Sequence, residues 1–203
     1  MAESRNCKNK NTEINKNTSD LENNIAIKNK NGLNCLYTNT DVLHNKLDEL
    51  QLYVDKNKID IVSVTETLPK NLNRSEEPFF LMEGFNTFSN FDGRGVTMFV
   101  KDSFECKRLD QYEEIFSPSL TVNIQISGDE SLIFCVTYRS PNCTEEENTK
   151  LNKMLNAVSE KNRNKKVVIT GDFNFRDINW KEESCNKSDD HAASKFLECI
   201  QVN

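Results

Sequence analysis

KKVVITGDFN, residues 165–174, is the stretch on which the reading of this chain turns. Val167 to Thr170 form an apolar, β-branched run that leads directly into Gly171, Asp172 and Asn174. A short continuous run of that kind, closed by turn residues, is the signature of a buried strand. The carboxylate and amide that follow it stand where functional groups gather, on a loop held by a rigid element.

The same pattern recurs upstream. GLNCLYT (32–38) is a short strand that places Leu33, Cys35 and Tyr37 on one face and Leu36 on the other. Thr40 or Asp41 can cap a helix whose apolar positions are Leu43, Leu47, Leu50 and Val54. IDIVSVTE (59–66) is a buried strand, followed by a polar loop through Asn73 to Pro78. Residues 95–101, 104–109, 119–127 and 131–138 are further strands, the last two joined by a hairpin turn at Gly128-Asp129-Glu130. After TEEE, a second helix carries Leu151, Met154, Leu155 and Val158. Ala193, Phe196, Leu197 and Ile200 make the inner stripe of a third. Helices between strands, with antiparallel strands in the middle, predict a layered α/β or α+β sandwich.

The chain has 203 residues, 36% hydrophobic and 29% charged, which suits one domain with a real core. Residues 1–31 are an Asn/Lys-rich leader without helical or strand periodicity, read as disordered, in which an NIAI stretch either attaches to the domain or does not. The domain runs over 32–203. Within the net charge of -6, residues 1–30 hold six bases against four acids, so the remainder carries -8. An acidic domain of that kind is no electrostatic sponge for nucleic acid. No apolar run approaches a membrane span and no signal peptide is visible, so the expectation is an intracellular protein with no membrane partner. The seven cysteines, Cys7, Cys35, Cys106, Cys135, Cys143, Cys185 and Cys199, are odd in number and without a CxxC pair, so they are read as reduced and structural.

Four strand ends carry polar clusters: Tyr37 to Asp41, Thr65 to Thr67, Tyr138 to Asn142, and Thr170 to Asn174. Each alone could be turn and cap chemistry: Asn39 and Asp41 at a helix start, Glu66 as a strand-end charge, Asp172 and Asn174 as an Asx turn. Together they offer oxygen ligands with no His or Cys among them, which fits Mg²⁺ or Mn²⁺. Such an ion would supply the positive charge that an acidic domain needs to handle a phosphodiester.

YTNTDVLHNKLDEL (37–50), IDIVSVTET (59–67), GRGVTMFVKD (93–102), VTYRSPN (136–142) and VVITGDFNFRDINW (167–180) resemble, in order, the endonuclease/exonuclease/phosphatase superfamily. The resemblance is closest to the endonuclease domain of non-LTR (LINE-type) retrotransposons. It implies a DNase-I-like, four-layered sandwich of two mixed β-sheets flanked by helices. It also implies metal-dependent hydrolysis of a phosphodiester, here nicking of target DNA, with a reverse transcriptase fused in the full-length protein and the nucleus as compartment. Position by position, Glu66 resembles the principal metal ligand and Asp41 an acid found nearby in some members. Asn39 resembles the asparagine that orients the site, and Tyr138 the tyrosine that bonds the scissile phosphate. Asp172 resembles the aspartate that handles the attacking water, Asn174 the asparagine that stabilises the transition state. Arg139 and Asn142 are expected to bind substrate.

Departures qualify that picture. The family carries a late aspartate and a terminal Ser-Asp-His signature, so the domain is expected to be truncated at its C-terminal side, with late strands missing, and this chain to be catalytically inactive or nearly so. Asp189-Asp190-His191 imitates the signature, but Ser188 or Asp189 is read as a helix N-cap and His191 as an exposed first-turn residue. The glycine run before the middle strand is reduced to Gly93-Arg94-Gly95. Two other readings stay open: a phosphatase or exonuclease of the same superfamily, and a catalytically dead remnant that only binds.

Overall fold

The computed structural model describes residues 25–27, 32–71 and 78–202. In the first sheet, β1 (Ile25–Ile27), β2 (Cys35–Asn39), β3 (Ile61–Thr65), β4 (Phe85–Asn90) and β5 (Val96–Lys101) lie in the order β1-β2-β3-β5-β4. Only β2 and β3 run parallel, and α1 (Leu47–Asn57) connects them. The second sheet holds β6 (Glu105–Arg108), β7 (Ser119–Ser127), β8 (Glu130–Tyr138) and β9 (Lys166–Asp172) in sequence order. Its one parallel pair is β8–β9, joined by α2 (Glu145–Lys161). A small hairpin, β10 (Ile178–Asn179) and β11 (Ser184–Cys185), leads to α3 (Ala192–Val202). Parallel neighbours need a long crossover, and a helix on the sheet face supplies each one here.

The layers follow from side-chain alternation. In β8, Leu132, Phe134, Val136 and Tyr138 point toward the other sheet, while Ile133 and Cys135 point toward α2 and α3. In β3, Ile61 faces between the sheets, whereas Val62 and Val64 face α1 with Leu50 and Val54. Three apolar cores result: under α1, between the sheets, and under α2 and α3. This is the four-layered mixed sandwich expected from the sequence. No helix among the described residues is long and apolar enough to cross a membrane. The six described cysteines are thiols rather than disulfides. Burial pushes Cys35 and Cys106 up to about 11 and Cys135 up to about 12, so they stay protonated hydrophobes.

Some elements differ from the sequence reading. Of the NIAI stretch, Ile25–Ile27 does attach, pairing antiparallel to β2; the rest of the 1–31 leader and most of the 73–78 loop lie outside the described residues. FNTFSN had no apolar alternation to betray it, yet it forms β4 by pairing with β5. The first helix has no Thr40 or Asp41 cap: a 3₁₀ turn at Leu43–Lys46 opens it, after Asp41 and Val42 in left-handed backbone. In α3, Cys199 faces the core and Ile200 is exposed, one residue round from the expected stripe.

Two features of the second sheet generate tests. Gly171 has φ +151°, and a Cβ there would stand 2.0 Å from the Thr137 carbonyl oxygen, which is strand backbone. Gly171→Ala should therefore cost roughly 3 kcal/mol or more, read as a fall in the urea midpoint; a loss below about 1 kcal/mol would mean that β8 and β9 part easily. At the start of α2, Glu147 accepts from the Thr144 N–H at 2.6 Å while Thr144 Oγ1 accepts from the Glu147 N–H at 3.2 Å. The Thr144 N–H foremost, and then the Thr144 hydroxyl donating to Glu147 Oε2 at 2.9 Å, hold the Glu147 carboxyl below its ordinary value. A depressed acid stabilises the fold above its unfolded pKa, and that contribution fades as pH falls through the folded one. Glu147→Gln should thus narrow the fall in Tm between about pH 6 and about pH 3. Equal acid sensitivity in both proteins would contradict the cap.

Candidate active site

The two parallel pairs end side by side. Asn39 is level with Thr65 at the end of β2–β3, and Tyr138 is level with Asp172 at the end of β8–β9. Small hydroxyls let the sheets approach there: Ser63 Oγ and Thr170 Oγ1 meet at 3.0 Å between β3 and β9. At the open end of that seam, the Asn39 amide nitrogen donates to Glu66 Oε1 at 3.0 Å and to Asp172 Oδ2 at 3.4 Å. Asn39 Oδ1 accepts from the Asp41 N–H at 3.1 Å, which fixes the orientation of the amide.

Glu66 is the hub of this cluster. Its backbone stands at φ 55°, turning the chain out of β3, and its carbonyl accepts from the Val42 N–H at 2.8 Å. The side chain is 17% exposed and receives three donors: the Asn39 amide, the Tyr138 hydroxyl, and Arg94 Nη2 at 2.7 Å from Oε2. Burial first, then the nearby Glu66 and Asp172 charges, push the Tyr138 phenol up to about 12, so it remains a hydrogen-bond donor. Tyr37, bonded through its hydroxyl to Thr65 Oγ1 at 3.0 Å, is raised still further by burial.

Arg94 was overlooked as a site residue in the sequence. The same Nη2 that meets Glu66 lies 2.5 Å from Asp41 Oδ1, so one guanidinium nitrogen bridges both expected metal ligands. Asp41 is well exposed, and its hydrogen bond to Arg94 holds its carboxyl below the ordinary range. The signal, in hindsight, is a charged residue between Gly93 and Gly95, both at positive φ. That turn is anchored to the Glu66 strand end: Leu68 N–H donates to the Arg94 carbonyl at 2.9 Å, and Thr67 N–H to that of Gly95 at 3.4 Å.

On the β9 side, Asp172 is half-buried, and desolvation raises its carboxyl above the ordinary value despite the bonds from Asn174 N–H and Asn39. Asn174, at φ 50°, donates from its amide to the Arg139 carbonyl at 2.7 Å. Arg139 is only 6% exposed, and its guanidinium is turned inward. It donates to Asn148 Oδ1 at 2.7 Å and to the Phe173 and Asn174 carbonyls at 3.3 Å, and it stacks 3.9 Å above the Phe175 ring. Its place is therefore to shape the loop that carries Asp172 and Asn174, rather than to reach out to a substrate. Asn148 was also overlooked; a polar residue three positions before Leu151 on the inner stripe of α2 was its only trace. Asn142 stands exposed in the turn closed by Cys143 N–H to the Ser140 carbonyl.

The expected exposed first-turn role of His191 is replaced by a capping one: its Nδ1 accepts from the Ala193 N–H at 3.2 Å, at the start of α3. His44 is exposed in the 3₁₀ turn. Neither histidine joins the Glu66–Asp172 cluster.

Among the described residues, no three or more His, Cys, Asp or Glu side chains converge as a metal cage. Glu66, with Asp41 at its side, is nonetheless an all-oxygen donor pair, and Mg²⁺ commonly takes only one or two protein carboxylates. The donor set suits a hard cation, and Arg94 now stands where its charge would be.

Residues 132–203 match the sequence profile of a family described as endonuclease-reverse transcriptase. No curated protein sequence matches the chain. Its fold is similar to that of the endonuclease domain of TRAS1, a telomere-specific non-LTR retrotransposon, with TM-score 0.60 and 16% identity over 84% of this chain and 70% of that one. It is also similar to the AP endonuclease LMAP from Leishmania major (0.57, 15%, 82% and 65%) and to the catalytic domain of Xenopus laevis APE2 (0.55, 16%, 81% and 66%). The chain thus spans slightly less than two thirds of the last two. The chain thus has the fold of these endonucleases, and its residues 132–203 are similar to the endonuclease-reverse transcriptase family.

Proposed function

We propose that this site hydrolyses a phosphodiester bond of DNA, as the nicking endonuclease of a non-LTR retrotransposon, with Mg²⁺ or Mn²⁺ held at Glu66. The observation that carries the reading is the Asn39 amide, which ties Glu66 of one sheet to Asp172 of the other at the end of the inter-sheet seam. A divalent ion at Glu66 would neutralise the phosphate and draw charge from its oxygens. The Tyr138 hydroxyl, protonated throughout the working pH range, is a donor for a non-bridging oxygen once released from Glu66. Asp172 is the carboxylate placed to hold the attacking water and take its proton, and Asn174 fixes it through a backbone N–H at 3.2 Å. Arg139 acts on the reaction by holding the Asp172–Phe175 loop in shape.

No imidazole stands in the cluster to protonate the leaving oxygen. General acid help is worth roughly 10²–10⁴-fold, so nicking should be slow. The link to a reverse transcriptase rests on the description of the matching family alone.

The test is conversion of supercoiled plasmid to the nicked form with Mg²⁺. Wild type should nick slowly, and Glu66→Gln and Asp172→Asn should each lower the rate by a further factor of about 100 while leaving the circular dichroism unchanged. Nicking by both variants at the wild-type rate would refute the assignment. Arg139→Met should behave differently, costing roughly 2–3 kcal/mol of stability because Asn148 and two loop carbonyls lose their donor. Full stability in that variant would mean that the inward guanidinium is not what shapes the loop.

A further inference from the structure

Arg94 holds a position that the proposed reaction leaves unexplained. One of its nitrogens bridges Glu66 and Asp41, the two carboxylates expected to take the cation. Its side chain is only 12% exposed, yet its Nε is buried without a hydrogen-bond partner among the described residues. A buried donor left unpaired is costly, so this pose satisfies the carboxylates better than it satisfies the arginine. The backbone of the Gly93–Gly95 turn, in contrast, is pinned beside Glu66 by the Thr67 and Leu68 N–H groups. Any second position of Arg94 would therefore be reached by its side chain and not by its backbone. Lys46 and Lys70 are near enough for the Asp41 carboxyl to feel their charge, so the adjoining rim is one that attracts anions.

Charge balance sets the alternatives. Glu66, Asp41 and Asp172 cannot share a small space without a counter-cation, and in the described structure the guanidinium provides it. A divalent ion directed to the same oxygens meets the positive charge of Arg94 at close range. We propose that Arg94 is a resident counter-cation for Glu66 and Asp41, which a divalent ion must displace, and that the displaced guanidinium then binds a phosphate of the substrate. The inference rests on the metal site of the proposed function. It adds a guard: without metal, the arginine is sequestered and the phosphate contact is withheld; with metal, both cations face the nucleic acid together.

Manganese binding to the wild-type chain and to Arg94→Gln, followed by calorimetry and by the loss of the free-ion electron spin resonance signal, tests the first half. Losing a charge-assisted competitor should tighten Mn²⁺ binding about tenfold. Wild-type binding with no gain in Arg94→Gln would overturn the inference and leave the functional reading in place. No binding by either chain would overturn both. Should the variant misfold, the wild-type protein still gives an answer through the Arg94 Nε–H nuclear magnetic resonance signal, titrated with Mg²⁺. Displacement requires that signal to shift and its guanidinium rotation to quicken as metal is added; an unmoved signal in metal-bound protein refutes it.

The second half is read from duplex-oligonucleotide binding at several salt concentrations. With Ca²⁺ present, Arg94→Gln should lower the slope of log affinity against log salt by about one. Without a divalent ion, the two proteins should have the same slope. A slope difference independent of metal, or no difference in either condition, would contradict the handover to phosphate.

Discussion

Two carboxylates from different sheets share one amide, and the site exists because the sandwich permits that contact. Face-packed sheets normally lie about 10 Å apart, too far for short side chains to bridge. Here the seam between β3 and β9 is lined by Ser63 and Thr170, whose hydroxyls touch at 3.0 Å. Large apolar residues fill the gap elsewhere, from Ile61 and Met98 to Phe134. The sheets are thus close along β3 and β9, and the carboxyl ends of the two parallel pairs, β2–β3 and β8–β9, meet at one end of that seam. Parallel pairing matters in the same way: it makes two successive crossovers deliver their loops to the same end of the molecule.

Much of this was legible along the chain because β-branched runs and helical stripes obey simple periods. SLTVNIQIS and SLIFCVTY read as strands, and the Leu151–Val158 stripe as a buried helix face, because each buries a face of predictable spacing. FNTFSN stayed hidden because its stability comes from hydrogen bonding to β5 and not from an apolar face. The site was readable as a set of strand-end residues, but not as a wiring diagram. Asn39, Glu66, Tyr138 and Asp172 do come together, whereas Arg139 turns inward, since direction of approach is set by the loop and by Asn148 rather than by residue type. Arg94 escaped notice for a related reason. A pair separated by the 53 positions between Asp41 and Arg94 leaves no local pattern.

The electrostatics of the cluster are those of carboxylates held in balance by the hydrogen-bond donors around them. Burial raises Asp172, while the hydrogen bond from Arg94 lowers Asp41, and Glu66 lies between the two with three donors. Removing any one partner would leave a partly desolvated carboxylate uncompensated. The neutral donors, Asn39 and Tyr138, make the arrangement tolerable, since they stabilise negative charge without adding a titrating cation.

Four of the non-glycine residues with left-handed backbone, Asp41, Val42, Glu66 and Asn174, lie at the strand ends that build this site. For Val42, a β-branched residue at φ 88°, the conformation is especially unfavourable. Each such residue withholds on the order of 1 kcal/mol from the folded state. The sandwich would be more stable with glycine at several of these places, and selection for stability alone would put it there. The strand ends are therefore where this fold has most stability left to gain, and where gaining it would cost the polar cluster its shape.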